Sequence, residues 1–102
     1  KKIYILSSKV GSIEDNKSGG MYVYRSSKTA LNQIVKSLSI DLKPLGISVI
    51  SLHPGWVRTH MGGPNALISV EESVNGMVGV ISNTNIFNSG KFINYDGTEL
   101  PW

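Results

Sequence analysis

A chain of 102 residues, 40% hydrophobic and 17% charged, has room for one domain with one modest core and is too apolar to be disordered. Its net charge of +3 comes from ten scattered Lys and Arg residues, only Lys1 and Lys2 being adjacent, which argues against a nucleic-acid-binding surface. The absence of cysteine excludes disulfides, thiolate catalysis and Cys-ligated zinc and fits a reducing, cytoplasmic setting, while no apolar run approaches the ~20 residues needed to cross a membrane.

Ile3-Tyr4-Ile5-Leu6 is an unbroken run of β-formers, the pattern of a parallel strand buried on both faces, and it ends at Ser7-Ser8. Between Lys9 and Gly20 the turn formers Gly11, Asp15, Asn16, Ser18, Gly19 and Gly20 follow without periodicity and predict a connecting loop. From Met21 to Lys43, Leu31, Ile34, Val35, Leu38 and Leu42 recur at helical spacing, and Pro44 and Gly46 end the helix. Ile47 to Leu52 alternates and is rich in β-branched residues, giving a second strand that stops at His53-Pro54-Gly55. Ser69-Val70-Glu71-Glu72 is a capping box opening a second helix, along which Val70, Val74, Met77, Val78 and Ile81 are spaced, to about Ser82. Gly90 to Tyr95 predicts a third strand, followed by the turn pair Asp96-Gly97.

The order β-α-β-α-β predicts an α/β fold with parallel strands and right-handed crossovers, the C-terminal part of a Rossmann-type doubly wound sheet. Ligands of such sheets sit beyond the carboxyl ends of the strands, where Ser7, Ser8, His53, Pro54 and Gly55 all fall. Tyr24 and Lys28 are four residues apart on a helix, so a phenol and an ammonium share one face, one turn apart. A cation that close favours a phenolate and suits a phenol to general acid/base work.

Ile5-Leu6-Ser7-Ser8-Lys9-Val10-Gly11, then Tyr24-Arg25-Ser26-Ser27-Lys28, then His53-Pro54-Gly55-Trp56-Val57-Arg58-Thr59 occur in the order found in the short-chain dehydrogenase/reductase family, which the whole chain resembles. Met61 to Ala66 and the ending Gly90 to Gly97 add a similarity to its sniffer-like and C-factor-like carbonyl reductases. The resemblance implies an oxidoreductase moving hydride between NADP or NAD and a small carbonyl or alcohol. By position, Tyr24 would be the general acid/base, and Lys28 would favour its phenolate and hold the nicotinamide ribose. Ser8 would bond the carbonyl oxygen, with Ser7 as the alternative because the gap to the tyrosine is longer than usual. Pro54, Gly55, Val57 and Thr59 would flank the nicotinamide. The resemblance also implies a homo-oligomer through helix 21–43.

No G-x-G-x-x-G turn and no earlier-helix asparagine of the catalytic tetrad occur in the chain. Residues 1–102 are therefore expected to form the C-terminal half of one NAD(P)-binding domain, with the N-terminal cofactor-binding half outside them. A non-catalytic interaction module built on helix 21–43, or an inactive half-fold, is the alternative. His53 and His60 lack carboxylate partners at ligand spacing, and no metal is predicted. Trp56 either lines a substrate cavity or packs on the second helix, Trp102 is either an interface anchor or a partly buried terminus, and Gly62-Gly63 either hinge a lid or make a turn.

Overall fold

The computed structural model describes residues 1–102. Strand β1 is Lys2–Leu6, helix α1 Tyr22–Asp41, strand β2 Ser48–His53, helix α2 Val70–Asn83, strand β3 Phe92–Asn94 and strand β4 Glu99–Leu100. Short 3-10 turns at Lys9–Gly11, Lys43–Leu45 and Ile86–Asn88 fill the connections. The sheet runs β1-β2-β3-β4, with β1, β2 and β3 parallel as expected and β4 antiparallel to β3. Strand β4 is the addition: at two residues it is too short for periodicity to announce it. The Asp96-Gly97 turn makes it possible, with Gly97 at φ +91° and the Thr98 N–H donating to the Asp96 carboxylate at 3.0 Å.

Strand β2 is the centre of the molecule. Ile50 and Leu52 on one side pack with Ile93 and with Val80 of α2 to form the core, supported by Tyr4 and Met77. Ser51 points the opposite way, because adjacent strand residues face opposite sides, and its hydroxyl donates to Asn32 Oδ1 of α1 at 2.9 Å. The two helices therefore cover opposite faces, as in a doubly wound sheet. Phe92, in register with Ser51, lies on the α1 side and carries Trp102 stacked on it at 5.4 Å between ring centroids. Trp102 is thus a docked terminus, held further by the Ile13 N–H donating to its carbonyl.

Burial on both faces holds for β2. Residues 48–52 are all buried, whereas Ile3 and Leu6 are exposed within residues 1–102, where β1 pairs with β2. Helix α1 ends earlier than the periodicity suggests: Leu42 leaves the helix and a 3-10 turn carries Pro44 before Gly46. At the start of α2 the Ser69 hydroxyl accepts from the Glu72 N–H at 3.1 Å. Glu72 accepts from that same hydroxyl at 3.3 Å, so its carboxylate completes the cap through the Ser69 side chain and not through the Ser69 backbone.

Candidate active site

One cavity of about 1070 Å³ opens beyond the carboxyl ends of β1 and β2. Ser7, Ser8, Tyr24, Pro54, Gly55, Val57 and Thr59 all line it, so the topology gathers residues 52 positions apart in sequence into one site. Lys28 does not reach its wall. Its ammonium lies 5.7 Å from the centre of the Tyr24 ring, over the ring face, a cation–π placement that keeps the charge beside the phenol.

The two serines differ. Ser7 is buried and its hydroxyl has no hydrogen-bond partner, while Ser8 is half-buried and accepts from the Val10 N–H, which leaves its own proton free to donate. Gly11, three residues on, lets this corner reach the helix: a Cβ there would sit 2.8 Å from Lys28 Cβ and 3.0 Å from the Thr29 nitrogen. The Thr29 hydroxyl donates to the Gly11 carbonyl at 2.7 Å and closes the contact. The corner carrying Ser8 is therefore seated against the helical turn carrying Lys28.

His53 performs a second tie. The Lys9 N–H donates to its Nδ1 at 3.1 Å, joining the end of β2 to the residue after Ser8. Burial, and secondarily the positive charge of Lys9, lowers the His53 pKa to about 4. The ring is neutral at pH 7, and with Nδ1 accepting, its proton is on Nε2. Protonation is disfavoured in the fold but free in the unfolded chain, where the pKa is near 6.5. Stability is therefore full above pH 6.5 and falls as pH drops towards 4, by about 2 kcal/mol once solvent screening of a partly exposed ring is allowed for. Urea midpoints of the wild type and of His53→Asn, whose amide oxygen can still accept from Lys9, are expected to differ in slope across that window. Parallel curves would dismiss this source of acid sensitivity.

The turn after His53 is anchored from α2, where the buried Ser73 hydroxyl donates to the Pro54 carbonyl at 2.6 Å. The segment that follows folds on itself, with Val57 bridging to Ile68 and the Trp56 indole N–H donating to the Gly62 carbonyl at 2.9 Å. Gly62 has no room for a side chain, since a Cβ would meet the Val57 carbonyl. Gly62-Gly63 is thus a closed turn, and the half-exposed Trp56 lines the cavity together with Val70 and Val74 of α2. Ser73, Gly11 and Arg25 escaped the sequence reading as site-building residues. None of the three has a signature in residue type or spacing; each is placed by partners elsewhere in the chain.

Comparison with known proteins identifies the family to which this fold belongs. A family model described as short chain dehydrogenase matches residues 2–67. The C-signal protein of Myxococcus xanthus is 48% identical over 102 residues, which make up 100% of this chain and 61% of that protein. The carbonyl reductase Sniffer of D. melanogaster superposes with a TM-score of 0.96 at 51% identity, over 99% of this chain and 41% of that one. An NADPH-bound carbonyl reductase from chicken fatty liver superposes with a TM-score of 0.91 at 40% identity, over 99% of this chain and 42% of that one. The chain spans less than two thirds of the length of each of these proteins. With the family model covering residues 2–67 and the fold shared at this level of identity, the chain belongs to the short chain dehydrogenase family.

Proposed function

We propose that these residues form the catalytic end of an NAD(P)(H)-dependent oxidoreductase acting on a carbonyl or alcohol. The observation that carries the reading is the convergence of Ser8, Tyr24, Pro54, Gly55, Val57 and Thr59 on one cavity, with Lys28 over the tyrosine ring. The cavity fits the nicotinamide end of the cofactor: Pro54 and Val57 offer apolar contact, Thr59 a hydroxyl for the carboxamide, and the unpartnered Ser7 hydroxyl shows polar capacity the protein itself leaves unused. The chicken reductase carries NADPH, which favours a nicotinamide cofactor here while leaving NAD and NADP both open.

When bound, the nicotinamide supplies hydride to a carbonyl carbon or takes it from an alcohol. The Tyr24 hydroxyl donates the proton that the carbonyl oxygen gains on reduction, and its phenolate accepts that proton in the reverse direction. The Lys28 ammonium lies over the Tyr24 ring and would hold the ribose hydroxyls of the cofactor. The free proton of Ser8 donates to the substrate oxygen and stabilises charge developing there, Ser7 being the alternative donor. Exposed Val23, Ile34 and Ile40 on α1 support self-association through that helix, and the absence of cysteine supports a cytoplasmic setting.

The test uses the protein with its full encoded chain, titrated with NADPH and NADH while tryptophan fluorescence is followed and a Trp56→Phe variant identifies the part that comes from the cavity. Quenching by one of them, followed by carbonyl-dependent loss of dihydronicotinamide absorbance on adding benzaldehyde or a branched ketone, is the expected result. Binding of neither cofactor would overturn the reading and favour an interaction module.

A further inference from the structure

Arg25 follows Tyr24 on α1, and its half-buried side chain turns back over the chain that enters the helix. Nε donates to the Gly20 carbonyl at 3.2 Å, Nη2 to the Ser18 hydroxyl at 3.1 Å and to the Gly19 carbonyl at 3.3 Å, and Nη1 to the Val10 carbonyl at 3.2 Å. Neither of the two ion pairs, Lys9–Asp15 and Lys91–Glu99, involves it, so the guanidinium is committed to backbone and hydroxyl acceptors.

The Ser8 corner has further ties through Gly11 and Lys9, but the segment entering α1 has few besides the Gly19 N–H donating to Asn16 Oδ1 at 3.0 Å. Met21, at the start of α1, is left-handed at φ 51° and makes no side-chain cap, and Gly19 and Gly20 before it are also left-handed at φ +70° and +72°. This unusual run delivers Tyr24 into the cavity. Val10 lies two residues beyond Ser8, in the 3-10 turn. One planar fork therefore spans both the corner carrying Ser8 and the segment feeding the turn that carries Tyr24. Such a span needs donors diverging from a rigid plane, which a lysine ammonium does not have.

We infer that Arg25 is a positioning residue that fixes the Tyr24 hydroxyl relative to the Ser8 hydroxyl, and so sets the turnover of the reaction proposed above, on which this inference rests. The nicotinamide-facing segment from Pro54 to Thr59 is held independently, by Ser73 and by the Val57–Ile68 bridge. Loss of the fork should thus act on turnover and not on cofactor binding.

The experiment compares Arg25→Ala, Arg25→Lys and Tyr24→Phe in the full encoded chain. Arg25→Ala is expected to lower kcat by about 30- to 100-fold, with cofactor Kd within about threefold, the size of effect that misplacing one reacting group produces. Arg25→Lys should remain within about threefold of the alanine variant, and added guanidinium ion at tens of millimolar should restore part of the alanine variant's kcat. A lysine variant as active as wild type, a kcat for Arg25→Ala within about threefold of wild type, or a joint fall of kcat, Kd affinity and melting temperature would overturn it. If Tyr24→Phe keeps its activity, the proposed reaction fails; if Tyr24→Phe is inactive and Arg25→Ala is not, only the Arg25 inference fails. Hydrogen exchange supplies a readout that needs no turnover. Amides of residues 18–21 should exchange at least about tenfold faster in Arg25→Ala, and unchanged exchange would sink the inference.

Discussion

Tyr24→Phe is expected to lower kcat about 10³-fold while leaving cofactor affinity within about threefold and the melting temperature nearly unchanged. The substitution removes one oxygen and keeps the ring, so the Lys28 ammonium retains the aromatic face it lies over at 5.7 Å. What is lost is the only phenol on the cavity wall and, in the proposed reaction, the proton delivered to the carbonyl oxygen. Ser8 can still hydrogen-bond that oxygen, but an aliphatic hydroxyl is too weak an acid to replace a phenol next to a cation. Steady-state kinetics with paired fluorescence titrations separate the two effects. A variant that turns over within tenfold of wild type would remove Tyr24 from the chemistry.

Gly55→Ala is expected to cost about 3 kcal/mol. The residue sits at φ +87°, where an L side chain costs about 1–2 kcal/mol. A Cβ there would also meet Ile68 Cδ1 at 2.6 Å and the Tyr95 ring at 2.9 Å, an overpacking that adds about 1–3 kcal/mol. For a domain of this size the melting temperature should fall by more than about 10 °C. Gly63→Ala is the matched control, because Gly63 has φ +80° and open space around its Cβ position. It should show the conformational cost alone. Equal losses in the two variants would mean that the contacts with Ile68 and Tyr95 do not restrain Gly55.

The parts of this site that the sequence announces are those whose chemistry depends on spacing along one element. Tyr24 and Lys28 meet because a helix brings every fourth residue to one face, and Ser69 caps α2 because its first turn leaves N–H groups unpaired. Strand ends at Ser7-Ser8 and at His53-Pro54-Gly55 are legible for a similar reason, since Pro54 ends the ladder it would otherwise join. The rest depends on backbone partners from elsewhere in the chain. Arg25 is recognisable only through four acceptors in the segments ahead of it, Ser73 only through the Pro54 carbonyl, and His53 only through the Lys9 N–H. Apart from the Ser18 hydroxyl, these acceptors and donors are backbone groups with no residue type to read.

The parallel pairing of β1 with β2 governs how the site comes into being as the protein folds. Lys2 stands opposite Ser48 and Leu6 opposite Leu52, so these strands cannot register until the intervening chain, α1 included, has been closed into a crossover. Loop closure of that length carries an entropy cost before any ladder bond repays it, and contacts so distant in sequence form slowly. Ser8 and His53 lie just past the last paired residues of the two strands. Tyr24 and Lys28 need only the local turn of α1 to meet, whereas Ser8 and His53 reach the same cavity wall only when the sheet zips, so the cavity is completed at the end of folding.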